Sequence, residues 1–519
     1  MADGTLDSRV RRGEVMAALS MATDLALGQP LEFAQQSCVL AHRIGRKLGA
    51  PESEVAEIHC HALLRYIGCN AETHAMAALF GDEIDFRRDF ARIDPGQASE
   101  MGALIFAYLR RANAGAGGMA ALGAVVRGLL LSKSASVEIL SSHCEVAQRL
   151  AERLGFGPEI QRNLGQLYER WDGKGLPRGL KGEAVALAVR IVAFAQDAIV
   201  LRAAFGAEGA AAKIAARRGG AYEPRLVDLY LDHADTLTAG LDGVTWSDVQ
   251  ALAPEPDLPM SDQEFDEACL AMADFADLKS PWSSGHSRAV AALAREAASR
   301  CGLPAADAQD LYRAGLLHDI GQVGIPLRIW NKPSPFNDAD WEQARLHAYY
   351  GERTLARPPA LARLGALVAQ HHERLDGSGY HRGLRGGALS APARILAAAE
   401  AYQNKIEPRP HRPALSASAA AQELKREARA GTLDADAVAA VLSAAGHAKA
   451  AHKTLVADLT PREIEVLRAI ARGQSTKQIA NALGVSPKTI DNQTQSIFIK
   501  LAVRTRGGAT LFAIEHGLS

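Results

Sequence analysis

The sequence predicts an all-α protein in three parts, and three observations carry that prediction. Ala and Leu dominate many segments and β-branched runs are few, a composition that favours helix. Two long stretches of the chain repeat one another. The tail, Asp458–Ser519, carries a regular series of helix caps and stops. A length of 519 residues allows three or four domains and several buried cores. The formal net charge is −1, so no global field draws the chain to nucleic acid or membrane, and any DNA contact must be local.

In chain order, amphipathic helical patterns run from about residue 20 to 245, with a Gly-rich break at Asn113–Gly118. The stretch Ala253–Pro259 holds three prolines and cannot continue a helix, so it reads as a linker. A second helical block runs from Asp262 to about Ala450, and the polar connection His447–Lys453 leads into the tail. The expected domains are therefore 1–250, 251–452 and 453–519. The N-terminal residues mix acids with bases and lack a long apolar run, unlike a signal peptide. Apolar stretches such as Ala188–Val200 are too short to span a bilayer. The six cysteines form no CxxC pair, which fits reduced thiols. A cytoplasmic protein with no membrane partner is expected.

The first two blocks read as a duplication. Tyr168–Leu180 (YERWDGKGLPRGL) matches His372–Leu384 (HERLDGSGYHRGL) at a shift of 372 − 168 = 204, which also pairs His143 with His347 and Arg190-Ile191 with Arg394-Ile395. Earlier in each block, Leu63-Leu64-x-x-Ile67-Gly68 matches Leu316-Leu317-x-x-Ile320-Gly321 at a shift of 316 − 63 = 253. The difference, 49 residues, places an insertion in the first block that includes the Asp82–Gly118 segment.

The second block concentrates His286, the pair His318-Asp319, His347, the pair His371-His372 and Glu400. A lone histidine on an apolar helix is most simply a satisfied core residue. Five histidines and two carboxylates are another matter, because unpaired imidazoles and charges on core faces cost several kcal/mol unless metal or hydrogen bonds satisfy them. Such a cluster is what two divalent ions such as Mn or Fe need. A bridging carboxylate such as Asp319 can hold two ions roughly 3.5–4 Å apart for in-line attack on phosphorus.

On HDIGQVGIP (318–326), HHERLDGSGYHRG (371–383), ARILAAAEAY (393–402) and RPHRPAL (409–415), this block resembles an HD-GYP domain of the HD phosphohydrolase superfamily. The resemblance implies a fold of five core helices, a bound metal pair (Fe or Mn), and hydrolysis of cyclic di-GMP or a related phosphodiester. By position it implies metal ligation by His318, Asp319, His347, His371, His372 and Glu400, with His286 auxiliary and His318 and Asp319 central to catalysis. Gln322, Tyr380, Arg382, Arg409 and Arg412 fall on its substrate side, where a guanidinium fork suits a phosphate. The pattern departs in places. Gln322 replaces the family's lysine and removes a positive charge, His381 replaces the proline of GYP, and Glu400 replaces an aspartate. Trp282 stands where three-metal members carry a glutamate, which points to two metals.

The first block has lost this set. By the two shifts, Phe33, Arg65, Tyr66, Leu167, Tyr168 and Gln196 stand where the second block has His286, His318, Asp319, His371, His372 and Glu400; only His143 keeps its counterpart. The first block is therefore a degenerate copy, expected to be inert in catalysis and to sense a ligand or form a dimer interface. Its glycine-bearing loop 171–182 reads as structural, closed by Asp172. His42, His59, His61 and His74 read as satisfied helix positions.

In the tail, Thr460 with Glu463 forms a capping box and Pro461 sits at the first helical position. Gly473 stops that helix, Ser475 caps the next, Gly484 ends it, Ser486-Pro487 opens a third, and a fourth spans about 506–515. Two helices joined by Leu483-Gly484-Val485 make a helix-turn-helix. Eight Lys/Arg against five Asp/Glu make the tail locally basic. The series LTPRE…GQSTKQIANALGVSPKTI resembles the LuxR-type, or NarL-like, output domain. That resemblance implies a recognition helix at Pro487–Lys500, with Lys488, Thr489 and Lys500 on phosphates, Asn492 and Gln495 facing bases, and Asp491 where the family has lysine. It also implies binding to DNA as a homodimer. The expectation for the whole chain is a transcription regulator with a phosphodiesterase domain. A non-hydrolysing nucleotide sensor or a dimerisation scaffold are the alternatives.

Overall fold

A computed structural model describes residues 9–113, 137–254, 257, 259–356, 359–446 and 459–518. Among the described residues there is no β-strand, only isolated bridges such as Tyr168 with Leu176, so the protein is all-α as its composition predicts. The connection His447–Lys453 lies outside the described residues, as do the Gly-rich break beyond Asn113 and three positions of the proline stretch. The chain divides into two compact units, 1–264 and 265–519. No helix among the described residues is long and apolar enough to cross a membrane.

In the first unit, helices Phe33–Lys47, Glu52–Leu64 and Leu187–Ala216 pack together. Val55, Ile58 and Ala62, spaced by three and four, form the buried stripe of the middle helix. The segment assigned to the insertion contributes helices Glu83–Phe90 and Ala98–Ala112, which share a separate apolar cluster with Thr73–Phe80. Phe80 stacks on Phe86 at 4.0 Å and Tyr108 meets Phe86 edge-on at 5.2 Å. The insertion thus brings its own small core.

In the second unit, helices His286–Arg300 and Ala305–Leu317 form a close hairpin. Its tightness depends on Gly315, where a Cβ would lie 2.7 Å from Ala291 Cα. Helices Asp338–Ala356, Pro359–Val368 and Ala391–Ile406 complete the bundle, flanked by Ala417–Arg429 and Ala435–Ala444. Ser390 caps the third of these and Pro392 sits in its first turn. Its buried face, Ala393, Leu396, Ala397 and Glu400, carries one carboxylate among alanines and a leucine.

Close backbone approaches repeat in both units. A Cβ on Gly321 would lie 2.0 Å from the His347 carbonyl oxygen, and one on Gly68 would lie 1.9 Å from that of His143. In the loop that follows, Glu373 accepts backbone N–H bonds from Arg382 and Leu384, and Glu169 accepts them from Arg178 and Leu180. Asp172 accepts from Lys174 N–H and pairs with Arg170, which closes the first-unit loop.

The tail folds around an apolar cluster of its own that includes Leu467, Ile470, Ile479, Ile490, Ile497 and Leu501. Its helices are Pro461–Ala471, Thr476–Leu483, Pro487–Lys500 and Arg506–Glu515. Thr460 and Glu463 close the capping box in both directions, Ser475 and Gln478 form a second, and Gly484 ends its helix at φ 65°.

Candidate metal centre

Each candidate ligand in the second unit is placed by a helix end or a helix face. His286 opens its helix behind Gly285, His318 closes the next, and Asp319 starts the short 3-10 turn Ile320–Gly324. His347 lies inside Asp338–Ala356, His371 and His372 follow Pro359–Val368, and Glu400 lies inside Ala391–Ile406. All but His372 are buried, and His372 is half-buried.

Three histidines are oriented the same way. Nδ1 of His318, His347 and His371 lies 2.7, 2.6 and 2.5 Å from the carbonyl oxygen three residues earlier, of Gly315, Ala344 and Val368. A carbonyl only accepts, so each Nδ1 carries a proton and each Nε2 is turned to the centre. His286 is held differently: its Nδ1 lies 2.7 Å from Glu407 Oε2 and its Nε2 lies 2.9 Å from Glu400 Oε2. Since a carboxylate only accepts, both nitrogens donate, and the two glutamates hold the ring well above the usual histidine range despite its burial. Asp319 sits between two groups of imidazoles. Its Oδ1 is 3.6 and 3.7 Å from Nε2 of His347 and His371, and its Oδ2 is 3.3 and 3.7 Å from Nε2 of His318 and His286.

The protonation states of the two carboxylates and of His347, His371 and His372 suit ligation, while His286 and His318 are held protonated by the carboxylates beside them. Burial opposes ionisation of Asp319 and Glu400, but the neighbouring imidazoles outweigh it and hold both well below the usual carboxylate range. Burial, with His318 and His347 alongside, pulls His371 down to about 3. Burial also lowers His347, and it lowers His372 with help from its histidine neighbours. Burial would lower His318 too, but Asp319 and Glu400 outweigh it and push it up to about 10.

These residues fit a metal. Among the described residues His318 Nε2 and Asp319 Oδ1 are buried with no hydrogen-bond partner, which is costly unless something else satisfies them. His347 Nε2 and His371 Nε2, two lone-pair atoms, face each other at 3.1 Å. Ligand atoms converge within 4.8 Å in three overlapping groups: His347, His371 and His372; His286, His318 and Glu400; and His318, Asp319 and His371. Imidazole and carboxylate donors suit first-row divalent ions.

A cleft of about 590 Å³ opens beside the centre, within the range of small-molecule sites. His372 and Glu400 of the centre line it together with Arg374, Asn404, Arg412, and Lys405 in its pairs with Glu423 and Glu427. Arg412 is therefore at the cleft, held by the Asn404 side chain and the Glu407 carbonyl. Arg409 and Arg382 are engaged elsewhere: Arg409 donates to the Trp282 carbonyl and pairs with Glu407, and Arg382 pairs with Glu352. Tyr380 stacks against His372 at 4.7 Å, and Gln322 is half-buried in the turn after Asp319.

Glu407 is the residue that sequence reasoning missed. A carboxylate on the far nitrogen of a ligating histidine fixes ring orientation and raises basicity, and losing one weakens metal binding roughly 10- to 100-fold. Glu407→Gln is expected to weaken metal affinity in that range, checked by competition with a chelating dye. Unchanged affinity would assign Glu407 to packing alone. Lys279 was missed too: fully buried, it donates to the Val323 carbonyl at 2.6 Å and anchors the turn after Asp319.

In the first unit the counterpart positions also meet, but a guanidinium fills the centre. Arg65, at the His318 position, donates to Gln196 Oε1 at 2.5 Å and to the Leu167 carbonyl at 3.0 Å, and lies over the Tyr66 ring. His143 bonds Tyr168 and the Ala71 carbonyl. The expectation that the other histidines of this unit are satisfied holds for His74, which faces Glu72 at 3.8 Å, and is corrected for His42, His59 and His61. His61 is fully buried with neither ring nitrogen paired among the described residues, and His59 Nε2 and His42 Nδ1 also lack partners. Burial explains how this is tolerated: it pulls His61 down to about 3 and His59 to about 4, so both rings are neutral.

On the tail, Lys488, Thr489, Asp491, Asn492 and Gln495 are exposed on helix Pro487–Lys500. Thr489 shares its hydroxyl with the Ser486 cap, and Lys500 donates to Glu463 at 2.7 Å.

Comparison with known proteins agrees with this geometry. The HD domain model matches residues 132–226 and 271–437, and the model of bacterial regulatory proteins of the luxR family matches 457–513. The chain is 29% identical over 407 residues to 3'3'-cGAMP-specific phosphodiesterase 3 of Vibrio cholerae, covering 78% of this chain and 88% of that one. It is 35% identical over 129 residues to a cyclic di-GMP phosphodiesterase of Thermotoga maritima, covering 24% and 35% of the two chains. A crystal structure of a cyclic GMP-AMP-specific phosphodiesterase from V. cholerae superposes with a TM-score of 0.60 at 25% identity, over 85% of this chain and 99% of that one.

Proposed function

The chain belongs to the HD-domain family, and on that footing we propose that it is a metal-dependent phosphodiesterase of cyclic dinucleotides, joined to a DNA-binding tail. The observation that carries the reading is the juxtaposition of a buried donor cluster, in which His318 Nε2 and Asp319 Oδ1 lack hydrogen-bond partners among the described residues, with a cleft that is lined by His372, Glu400, Arg374 and Arg412. His347, His371 and His372 would hold one divalent ion, His286, His318 and Glu400 a second, and Asp319 would bridge them. Manganese or iron suits the donor set. When bound, the ions supply Lewis acidity toward a phosphate oxygen and activation of water. Arg412 and Arg374 draw the phosphodiester into the cleft, while Lys405 is paired with Glu427 and Glu423. Glu407 and the three carbonyls keep each imidazole Nε2 directed inward. The relatives' printed substrates make 3'3'-cGAMP and cyclic di-GMP the first two to try.

The reading divides the chain into 1–250, a degenerate HD domain; 251–452, the catalytic one; and 453–519, the DNA-binding domain. It places the protein in the cytoplasm as a homodimer, with the exposed row Lys488, Asp491, Asn492 and Gln495 toward the major groove. Lys488→Ala is expected to weaken DNA binding across sequences and to lower the salt slope by about one. Fluorescence anisotropy over a salt series reads this; an unchanged slope would place Lys488 off the backbone.

A second reading, a sensor that binds without turnover, draws on Gln322, a neutral side chain where the family carries a lysine. Hydrolysis of the two dinucleotides by protein loaded with Mn(II) or Fe(II) separates them. Turnover establishes the enzyme. Binding without turnover favours the sensor, and neither binding nor turnover overturns the substrate assignment.

A further inference from the structure

We infer that Trp341 and Arg345, on the rim of the metal centre, form the subsite that stacks one nucleobase of the cyclic dinucleotide, an assignment that rests on the substrate reading above. Helix Asp338–Ala356 turns His347 into the centre and leaves Trp341 42% exposed and Arg345 exposed. An indole this exposed, on the helix that carries His347, presents π-surface to solvent. Purines stack on such faces with little regard to sequence, and a guanidinium adds a cation–π contribution.

The rim is continuous with the chemistry. The Arg345 guanidinium lies 5.7 Å from the Trp341 ring centroid and 5.7 Å from that of Tyr380. Tyr380 in turn lies 4.7 Å from His372 and 6.0 Å from His347. On the other side Phe336 meets Trp341 at 5.3 Å and His411 at 6.0 Å, and His411 precedes Arg412 of the cleft. A base on Trp341 would therefore belong to a nucleotide whose phosphate lies toward Tyr380 and the histidines.

Arg345 also differs from its neighbours in charge. Arg382 is paired with Glu352 and Arg409 with Glu407, but Arg345 has no ion pair among the described residues. A planar cation without a carboxylate suits a phosphate between the base and the metals. The helix alone gives no reason to hold an arginine between two aromatic rings at this rim.

The test is equilibrium binding of hydrolysis-resistant phosphorothioate analogues of cyclic di-GMP and 3'3'-cGAMP to the full-length, Mn(II)-loaded protein. Trp341→Ala is expected to weaken binding about tenfold, and Trp341→Phe, which keeps a ring, by about threefold or less. Arg345→Ala should weaken binding by a similar factor and Arg345→Lys by less, since lysine keeps the charge and loses the planar stack. Metal content and circular dichroism should be unchanged in all four. Wild-type binding with Trp341→Ala and Arg345→Ala both within about twofold of it would overturn the subsite and leave the substrate reading standing. No binding by wild type would overturn both.

Discussion

Asp319→Ala protein loses its bound metal and hydrolyses cyclic dinucleotides at least roughly 10²–10³-fold more slowly than wild type, the scale of removing one preorganised electrostatic group from an active site. The expectation is this large because of where Asp319 sits. One of its oxygens faces His347 and His371 and the other faces His286 and His318, so it is the side chain that both imidazole groups share. Without it, four buried imidazoles converge with only Glu400 to balance a divalent charge. Asp319→Asn would keep the shape and lose the charge, and it is expected to behave like the alanine variant. Initial rates beside elemental analysis check both; near-wild-type turnover with full metal content would remove Asp319 from the centre.

Arg65→Ala is expected to destabilise the first unit by about 3 kcal/mol or more, since it strips the partner from a buried polar network and leaves a cavity. The guanidinium occupies the place where the second unit gathers its donors, and it gives Gln196 and the Leu167 carbonyl their hydrogen bonds. A fixed organic cation thus holds this bundle together where a metal would. Arg65→His should be destabilising as well and should recruit no metal, because Tyr66, Leu167 and Gln196 supply no carboxylate or imidazole. Hydrogen exchange of amides in helices Glu52–Leu64 and Leu187–Ala216 reads the loss. Unchanged protection in Arg65→Ala would show that the pseudo-site is held by packing alone.

Much of this was legible in the sequence because the signals were local or repeated. The capping box at Thr460 and the cap at Ser475 announced their helices, and the apolar spacing from Ile464 to Leu501 announced the tail's core. The His318-Asp319 and His371-His372 pairs marked a constellation that the fold gathers within a few ångströms. Glu407 was not legible: one glutamate among many, it meets His286 across 121 residues. The carbonyls that orient three histidines carry no side-chain signal at all. For Arg65 the sequence disclosed the loss of a histidine but not that the replacement fills the hole. Arg409 was expected at the phosphates by position, while in the structure it lies on Glu407 and the Trp282 carbonyl. His61 shows the limit of assuming that buried polar groups find partners, since burial can instead hold the ring neutral.

The central claim is that the second HD domain alone carries a metal centre. The most direct measurement is elemental analysis of the full-length protein, supplied with Mn(II) or Fe(II), as wild type, Asp319→Ala and the first-unit counterpart Tyr66→Phe. The account predicts bound metal in wild type and Tyr66→Phe and its loss in Asp319→Ala. Metal retained in full by Asp319→Ala, or lost in Tyr66→Phe, would contradict it.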